Sequence, residues 1–409
     1  MATDRHPVLR GNKNLLLLLL GGTASTIGSQ ALSVVIPIWV YELTGSVSST
    51  AIAVASVIAP QLLLGPFAGA FADRFDRRRI MISCDLARAV IVLGLLTVGP
   101  VGAAWPIYVV GFAESTASGV FAPARSAFIP MIVSRSGLLR ANAINATCDS
   151  VAMFVGPGVG AGLFAVFGPN VVVAADVLSY VVSAVAVGAI AVPVVSRGFA
   201  RISRETESQL HLRSQIASGA KLLASQPVLR SLLAVLVVLM LAQGVAQVML
   251  VALVTQSWHG RPEDLGLLAS AQGVGALIGG PAVALLARRA SPRTLIAGGV
   301  GGAGGLMLVI VNQPHLLLGL ALYLPLGMCI VAITTAAGTL VQLSTDNDYL
   351  GRVAGWFAMA TAGAAILGAL AAAGLGGMLG PRLLLSLSAV LMLLAALPAR
   401  SLAPSATTQ

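Results

Sequence analysis

Long apolar runs make up most of this chain, and short stretches rich in charged residues, glycine or proline separate them. A helix of about 20 apolar residues is long enough to cross the hydrocarbon core of a bilayer. Breaking the sequence at its polar points predicts twelve such helices, over 14–41, 46–72, 79–99, 105–132, 141–167, 170–195, 228–257, 264–287, 293–312, 315–343, 350–379 and 382–402. The pattern therefore predicts an all-α, polytopic membrane protein.

Composition supports this prediction. Of the 409 residues, 57% are hydrophobic and 9% are charged, whereas a soluble domain carries about 25% charged residues. So few charges cannot cover a water-exposed surface of this length, which makes lipid the solvent for most of the chain. Cys84, Cys148 and Cys329 lie far apart in apolar runs without the spacing of a metal or disulfide site. We therefore expect no metal and no cofactor.

The basic residues fall in loops on alternate sides of the predicted membrane. With the N-terminus inside, the outer loops contain only Arg261 and Arg382, and the other Lys and Arg residues lie in or beside cytoplasmic segments or within spans. Cytoplasmic loops are enriched in Lys and Arg, so both termini are expected in the cytoplasm. This asymmetry explains the net charge of +10 without a nucleic-acid partner, and the aromatic share of 5% agrees.

A polar segment over 196–227 divides the predicted helices into two groups of six. We expect an N-terminal bundle (1–195), a cytoplasmic linker (196–227) and a C-terminal bundle (228–409). Residues 65–78, which begin with Gly-Pro and end a span, align without gaps with residues 280–293, which do the same. Internal repeats of this kind are typical of secondary transporters, whose substrate site lies between the repeats near the membrane midplane.

Several segments resemble the major facilitator superfamily, and within it the branch that exports drugs, macrolides and siderophores. They are Gly69-Ala-Phe-Ala-Asp73-Arg74-Phe-Asp-Arg77-Arg78 between spans two and three, Gly156-Pro157-Gly-Val-Gly160 in span five, and Gly351-Arg352-Val353 entering span eleven. The resemblance implies two six-helix bundles that work by alternating access. It also implies a multi-pass, monomeric protein in the cytoplasmic membrane of a bacterium.

The resemblance assigns roles to two motifs. A cytoplasmic gate would hold the two halves closed through Gly69, Asp73, Arg74, Arg77, Arg78 and Arg352. A carboxylate at position 73 would face the N-terminal end of span eleven and gain from its helix dipole; alternatively, the basic run only sets the topology. The motif Gly156, Pro157 and Gly160 is typical of exporters and would form a bent, tightly packed seam between the halves. The alternative is generic packing of small residues.

Charges inside the bilayer are costly, by about 2.5–3.5 kcal/mol each on insertion scales. Asp85 and Arg88 are three residues apart in span three and are expected to pair, with each other or with the basic loop between spans two and three. Arg125 and Asp149 lie in the cytoplasmic leaflet and are able to pair there. Asp176 lies near the outer end of span six, where interfacial water is within reach.

Glu114 lies about nine residues into span four, with no basic residue at comparable depth. A carboxyl group without a cation in a low dielectric can bind and release protons near neutral pH. Glu114 is therefore the leading candidate for proton coupling and Asp149 the second, while a hydrogen-bonded structural carboxyl is the alternative for Glu114. Relatives in the branch often carry an acid directly after the position of Gly28, where this chain has Ser29. Proton coupling would then need another residue, or transport is not driven by protons.

Polar residues in spans one, seven and ten suit the wall of a cavity. Together with Phe112 and other apolar side chains they suit a bulky amphipathic ligand, although each residue alone equally suits packing between helices. The polar candidates are Ser25, Ser29, Gln30, Gln243, Gln247, Thr334 and Thr335.

The chain has no phosphate-binding GxxxxGK[ST] motif and no histidine cluster with zinc spacing. We therefore expect a transporter rather than an enzyme, driven by an ion gradient rather than by ATP. The expected activity is secondary-active efflux, by proton antiport, of a bulky amphipathic molecule such as an antibiotic or siderophore. Facilitated uptake of a small solute and movement of lipid or lysolipid remain alternatives. The expected partners are the small-molecule substrate, protons and membrane lipid.

Overall fold

The computed structural model describes residues 12–74, 76–98, 103–134, 137–190, 220–262, 264–287, 289–345 and 347–400. The membrane-length helices in this part are α1 (Lys13–Thr44), α2 (Val47–Arg74), α3 (Arg77–Leu93, continued by a 3₁₀ turn Gly94–Thr97), α4 (Trp105–Ile132), α5 (Leu138–Phe167), α6 (Pro169–Ala189), α7 (Pro227–Ala252, continued by a π turn Leu253–Ser257), α8 (Asp264–Leu286), α9 (Pro292–Asn312), α10 (Leu316–Leu343), and a run Asn347–Arg400 that Gly380 divides into α11 (347–379) and α12 (381–400). The predicted all-α fold of twelve helices is confirmed.

Nine helical segments of the described residues are long and apolar enough to cross a membrane, and one of them, Arg352–Leu397, contains most of both α11 and α12. Lipid offers no partner for backbone N–H and C=O groups, so a helix, which pairs them internally, is the form these segments must take. The helix α4 is not among the nine. It carries Glu114 and Arg125, with Ser115, Thr116 and Ser118 between them, and this polarity belongs to the site described below.

Glycines with positive φ form three of the turns between helices. Gly45 (φ 60°) links α1 to α2, Gly168 (φ 78°) links α5 to α6, and Gly380 (φ 72°) links α11 to α12. Residues with a Cβ rarely adopt this backbone conformation. All three turns lie at one end of the bundle, which we call the distal end. The opposite end holds residues 12, 190 and 400 and is called the proximal end.

The helices pack as two groups of six. In the first group, α1 packs against α2, α5 and α6, α3 packs against α4 and α6, and α2 packs against α4. In the second group, α7 and α9 pack against the α11–α12 run, and α10 packs against α8 and α9. We refer to the groups as the first and second halves. The expected linker falls largely within 191–219, which lie outside the described residues, so its limits remain a prediction.

Two helix pairs make most of the contact between the halves, α2 with α11 and α5 with α8, and α7 adds smaller contacts with α1 and α2. On α5 and α8, Gly158 lies beside Ser270, and a Cβ added to Gly273 would come within 2.5 Å of Phe154 Cβ. Near the other pair, Gln256 donates a hydrogen bond of 3.2 Å to the Tyr41 hydroxyl, and Ser48 donates one of 3.4 Å to the carbonyl of Ala373. All of these contacts lie in the distal halves of their helices, so the two halves meet closely at the distal end.

Candidate functional site

A polar cavity of about 300 Å³ opens among the first-half helices α1, α3, α4 and α5. Its lining residues lie at mid-helix or toward the proximal end, and they are Ser25, Thr26, Ser29, Gln30, Arg88, Ser118, Phe121, Ala122, Arg125, Ser126, Asn145 and Asp149. The structure thus brings together the three α1 residues predicted for a cavity wall and three residues predicted from their charge, Arg88, Arg125 and Asp149. The distal contacts between the halves lie beyond this cavity, so it is on the proximal side of the closed end.

Arg125, Asn145 and Asp149 form a triangle of hydrogen bonds at the cavity wall. Arg125 donates to Asp149 Oδ1 at 2.9 Å and to Asn145 Oδ1 at 2.7 Å, and Asn145 donates to Asp149 Oδ2 at 2.9 Å. The guanidinium lies against Gly22 of α1, where a Cβ would come within 2.8 Å of its Cζ. The Arg125 side chain is 9% exposed and that of Asp149 is 41% exposed. Asp149 therefore presents an ion-paired carboxylate to the cavity.

Asp85 and Arg88 of α3 form a second ion pair, which is buried. The guanidinium of Arg88 lies between two aromatic rings, 4.3 Å from the centroid of Phe121 and 4.4 Å from that of Tyr180. Cations are attracted to aromatic faces, and more strongly when water is excluded. Arg88 also donates to Ser118 Oγ at 3.2 Å. The pairing, the stacking and this hydrogen bond fix the cation in the core of the first half.

Glu114 is connected to the cavity by a chain of hydroxyl groups. Its Oε1 accepts hydrogen bonds from Ser118 Oγ at 2.7 Å and from the Tyr180 hydroxyl at 2.8 Å. Tyr180 is in turn 2.9 Å from Ser29 Oγ, which lines the cavity. The sequence of α4 alone indicated a carboxyl without a partner. The structure supplies these partners from one turn farther along α4 and from α6, 66 residues away in sequence.

The expectation for Asp176 was wrong. Its position near the end of a span predicted contact with interfacial water, but the residue is 0% exposed. It lies on the face of α6 that packs against α1, beside Gly28, and the absence of a side chain at Gly28 leaves room for the carboxyl group. Ser179 Oγ lies 3.4 Å from its Oδ1, and the Tyr180 hydroxyl is a second hydrogen-bonding neighbour of the carboxyl group. The sequence does not show which helices pack together. It therefore gave no sign that Gly28 of α1 faces the carboxyl group of Asp176 in α6.

The predicted cavity residues outside α1 do not line this cavity. Between residues 235 and 255 of α7, Gln243 and Gln247 are exposed while all other side chains are buried or half-buried. Thr334 and Thr335 are exposed on α10, and Thr334 donates to a carbonyl of its own helix. Phe112 is exposed on a face of α4 that also carries Val109. Five of the eight predicted cavity residues are therefore placed elsewhere than the cavity.

The surroundings of Gly69 and the side chains of Asp73 and Arg74 lie outside what the structure describes, so the expected gate remains a prediction. Two neighbouring arginines are described. Arg77 donates to the carbonyl of Ala127 in α4 at 2.9 Å, and Arg78 donates to the carbonyls of Val187, at 3.1 Å, and Gly188 in α6. Basic side chains near the C-terminal ends of helices donate hydrogen bonds to carbonyls that lack a partner in the helix, and their positive charge interacts favourably with the helix dipole. Arg352 lies 5.2 Å from the ring of Tyr349.

The Gly-Pro motif of α5 packs toward two different helices. A Cβ on Gly156 would come within 2.6 Å of Gln30 Cβ, and one on Gly160 would overlap the backbone of Ala31, so these two glycines let α1 approach inside the first half. Gly158, between them, faces Ser270 of α8 in the second half. The carbonyl of Pro157 also lies at this boundary, beside Gly266. The motif therefore contributes to packing within the first half as well as to the seam between the halves.

Membrane-length helices in two groups of six, with a polar cavity among the helices of the first half, define a multi-pass membrane transporter rather than an enzyme. A family model, "Major Facilitator Superfamily", matches residues 18–255 and 232–407. The chain belongs to this superfamily, and its substrate is a small molecule.

The relatives include exporters. The chain is 30% identical over 175 residues to macrolide efflux protein A of Streptococcus pyogenes, covering 42% of this chain and 43% of that protein. It is 26% identical over 350 residues to the multidrug efflux pump Tap of Mycolicibacterium fortuitum, covering 83% of this chain and 84% of that protein. Among solved structures, a bacterial homologue of the iron transporter ferroportin in an inward-facing state has the same fold, with a TM-score of 0.72, 17% identity and coverage of 97% and 99%. These relatives confirm the resemblance to the drug-exporter branch.

Proposed function

We propose that this protein exports a bulky amphipathic small molecule, such as an antibiotic or a siderophore, by alternating access and in exchange for protons. It would act as a monomer in the cytoplasmic membrane of a bacterium, with both termini, and therefore the proximal end, in the cytoplasm. The observation that carries this proposal is the polar cavity on the proximal side of the closed distal end. In this orientation the cavity loads from the cytoplasm, as an exporter requires.

The cavity chemistry supports an amphipathic substrate with polar substituents. Hydroxyl groups of α1 and α4, the Gln30 amide and the edge of the Arg125–Asp149 pair offer both donors and acceptors, and Phe121 adds an apolar surface. Pockets that combine an apolar surface with a few polar groups bind and orient small molecules. The names of the macrolide and multidrug efflux relatives agree with such a substrate.

Proton exchange is proposed at Glu114. Its hydrogen bonds run through Tyr180 to Ser29 at the cavity wall, so a proton can reach it without crossing apolar protein. Asp149 is the weaker candidate because Arg125 already balances its charge. The acids Asp85, Glu114, Asp149 and Asp176 all lie in the first half, which supports coupling there and a cavity-shaping role for the second half.

Drug accumulation in cells tests the proposal. Erythromycin and ethidium are the probes, in a bacterial host that lacks its own drug pumps and expresses either the wild-type chain or an empty vector. Export predicts lower accumulation than in the vector control, and a return to the control value when an uncoupler collapses the proton gradient. The variant Glu114→Gln should abolish the response to the uncoupler. Higher accumulation would instead support facilitated uptake, and a change confined to fluorescent lysolipid would support lipid movement.

A further inference from the structure

Asp149 carries the most exposed charge in the wall of the polar cavity. Its side chain is 41% exposed, whereas that of its partner Arg125 is 9% exposed. The two charges balance each other, but the pair is a dipole, and the carboxylate is the end that is more open to the cavity. A positive group in the cavity is therefore attracted by the nearer charge, while a negative group is repelled by it.

The Asp149 carboxylate also has acceptor sites to spare. An ionised carboxylate offers about four lone-pair sites on its two oxygens. Arg125 donates to Oδ1 and Asn145 donates to Oδ2, each at 2.9 Å. Asn145 in turn accepts a hydrogen bond of 2.7 Å from Arg125, so the carboxylate is held in place before a substrate arrives. Its remaining lone pairs are suited to N–H donors from a ligand in the cavity.

The two guanidinium groups in the cavity wall are already engaged. Both terminal nitrogens of Arg125 donate hydrogen bonds, one to Asp149 and one to Asn145. The side chain of Arg88 is 4% exposed, and it is held by Asp85 and by two aromatic rings. An anionic substrate would have to break one of these ion pairs to reach a guanidinium group, whereas a cationic substrate can bind the Asp149 carboxylate without breaking any of them.

The rest of the cavity wall suits the body of an amphipathic cation. It offers the hydroxyl groups of Ser25 and Ser29 and the apolar side chains of Phe121 and Ala122. We propose that the cavity selects cationic amphipathic substrates, and that Asp149 is the specificity-determining residue, because its exposed carboxylate edge binds a protonated amine of the substrate. This inference rests on the proposed function in taking the cavity as the substrate site.

Fluorescence titrations of the purified full-length protein in phosphatidylcholine vesicles, without any ion gradient, test the proposal. The probes are dansylcadaverine, whose alkylamine is protonated at neutral pH, and its N-acetyl derivative, which has the same fluorophore but no charge. The lipid has no net charge, and vesicles without protein give the background. The wild-type protein should bind dansylcadaverine about tenfold more tightly than the acetylated probe, because only the amine forms a charged hydrogen bond with the carboxylate.

Three cavity variants and one control assign the selectivity to the carboxylate. Asp149→Asn should bind both probes equally, with an unchanged affinity for the acetylated probe, which also shows that the variant is folded. Asp149→Glu should keep the preference for the cation. Arg125→Gln should increase this preference, because the carboxylate loses its competing cation. The control is Asp264→Asn, which changes an acid at the start of α8 that accepts a hydrogen bond from the Arg261 backbone, and it should behave as the wild type.

Equal affinity of the wild-type protein for the two probes, or a preference that persists in Asp149→Asn, would overturn the proposal. If Asp149→Asn does not fold, Arg125→Gln decides, and an unchanged or lower preference for the cation in that variant would overturn it. Accumulation of the same probes in cells separates this proposal from the proposed function. Equal export of both probes would contradict the selectivity but not export, whereas selective binding in vesicles without lower accumulation in cells would contradict export but not the cation site.

Discussion

The carboxyl group of Asp176 in α6 occupies the space that a side chain at Gly28 of α1 would fill. The variant Gly28→Ala should therefore force α1 and α6 apart or displace the carboxyl group. Overpacking of a close-packed interior costs about 1–3 kcal/mol. We expect a lower thermal unfolding temperature in detergent.

The matched control is Gly162→Ala in α5, where nothing lies within 4 Å of an added Cβ. Its stability should be unchanged or should rise by up to about 1 kcal/mol, because alanine has the higher helix propensity. Equal effects of the two variants would contradict the contact.

The buried Asp85–Arg88 pair should respond strongly to the loss of one partner. Asp85→Asn leaves a stacked guanidinium without its counter-ion, and Arg88→Gln leaves a buried carboxylate without a cation. Breaking a buried pair in this way costs about 3–5 kcal/mol. The double variant should cost less than the two single variants added together, because neither partner is then left charged. Equilibrium unfolding in mixed micelles measures all four proteins, and strictly additive effects would show that the two side chains do not interact.

Much of the fold was predictable because lipid restricts the choices. Backbone groups have no partner in the hydrocarbon region, so each apolar run of sufficient length forms a helix, and even the helix limits agree closely with the predicted spans. The contact between Arg125 and Asp149 was predictable for a similar reason. Both charges lie at the same depth in the membrane, and pairing lowers the cost of burying them there. Depth along a helix is readable from one sequence.

The direction in which a residue faces was less predictable. Asp176 and Glu114 were assigned environments from their depth alone, yet Tyr180 and Gly28, which determine these environments, lie on other helices. Helix pairing depends on small residues at close contacts, and this chain has 45 glycines, too many to indicate which of them meets which helix. The Gly-Pro motif shows the same limit, because Gly156 and Gly158 face different neighbours although they are two residues apart.

Tyr180→Phe tests the hydroxyl chain between the cavity and Glu114. The phenyl ring still stacks on Arg88, so the fold should be retained, while the link between Ser29 and Glu114 is lost. A hydrogen bond of this kind contributes about 0.5–1.5 kcal/mol, so we expect drug-driven proton movement in everted vesicles, reported by a pH-sensitive dye, to slow by up to about tenfold. Tyr323→Phe, a buried tyrosine of α10, is the control and should be unaffected. Wild-type rates in Tyr180→Phe would exclude this route.

The contact between α5 and α8 near the distal end, which we call the distal seam, should allow a disulfide cross-link between the two helices. A Cβ built at Gly158 lies 3.3 Å from Ser270 Cβ, close to the separation of about 3.5–4.5 Å found in disulfides. After replacement of Cys84, Cys148 and Cys329 by serine, the pair Gly158→Cys with Ser270→Cys should form a disulfide on mild oxidation, visible by mass spectrometry. Alternating access requires this seam to open, so the oxidised protein should stop transporting erythromycin and recover on reduction. Each single cysteine variant serves as a control, and full transport by the cross-linked protein would exclude opening at this seam.

Gln243 and Gln247 are polar, exposed and one helical turn apart on a helix whose other side chains around them are buried or half-buried. A face toward lipid would be apolar, because an amide without a partner in hydrocarbon is costly. We therefore expect this face to meet water, and Gln243→Cys and Gln247→Cys in a cysteine-free protein should react with a membrane-impermeant thiol reagent. Val248→Cys, at a position that is 0% exposed, should not react.

The same variants test the orientation in the membrane. If the proximal end is cytoplasmic, labelling should be fast in everted vesicles and slow in intact cells. The reverse order would place the proximal end outside, and no labelling in either preparation would show that these glutamines do not face water.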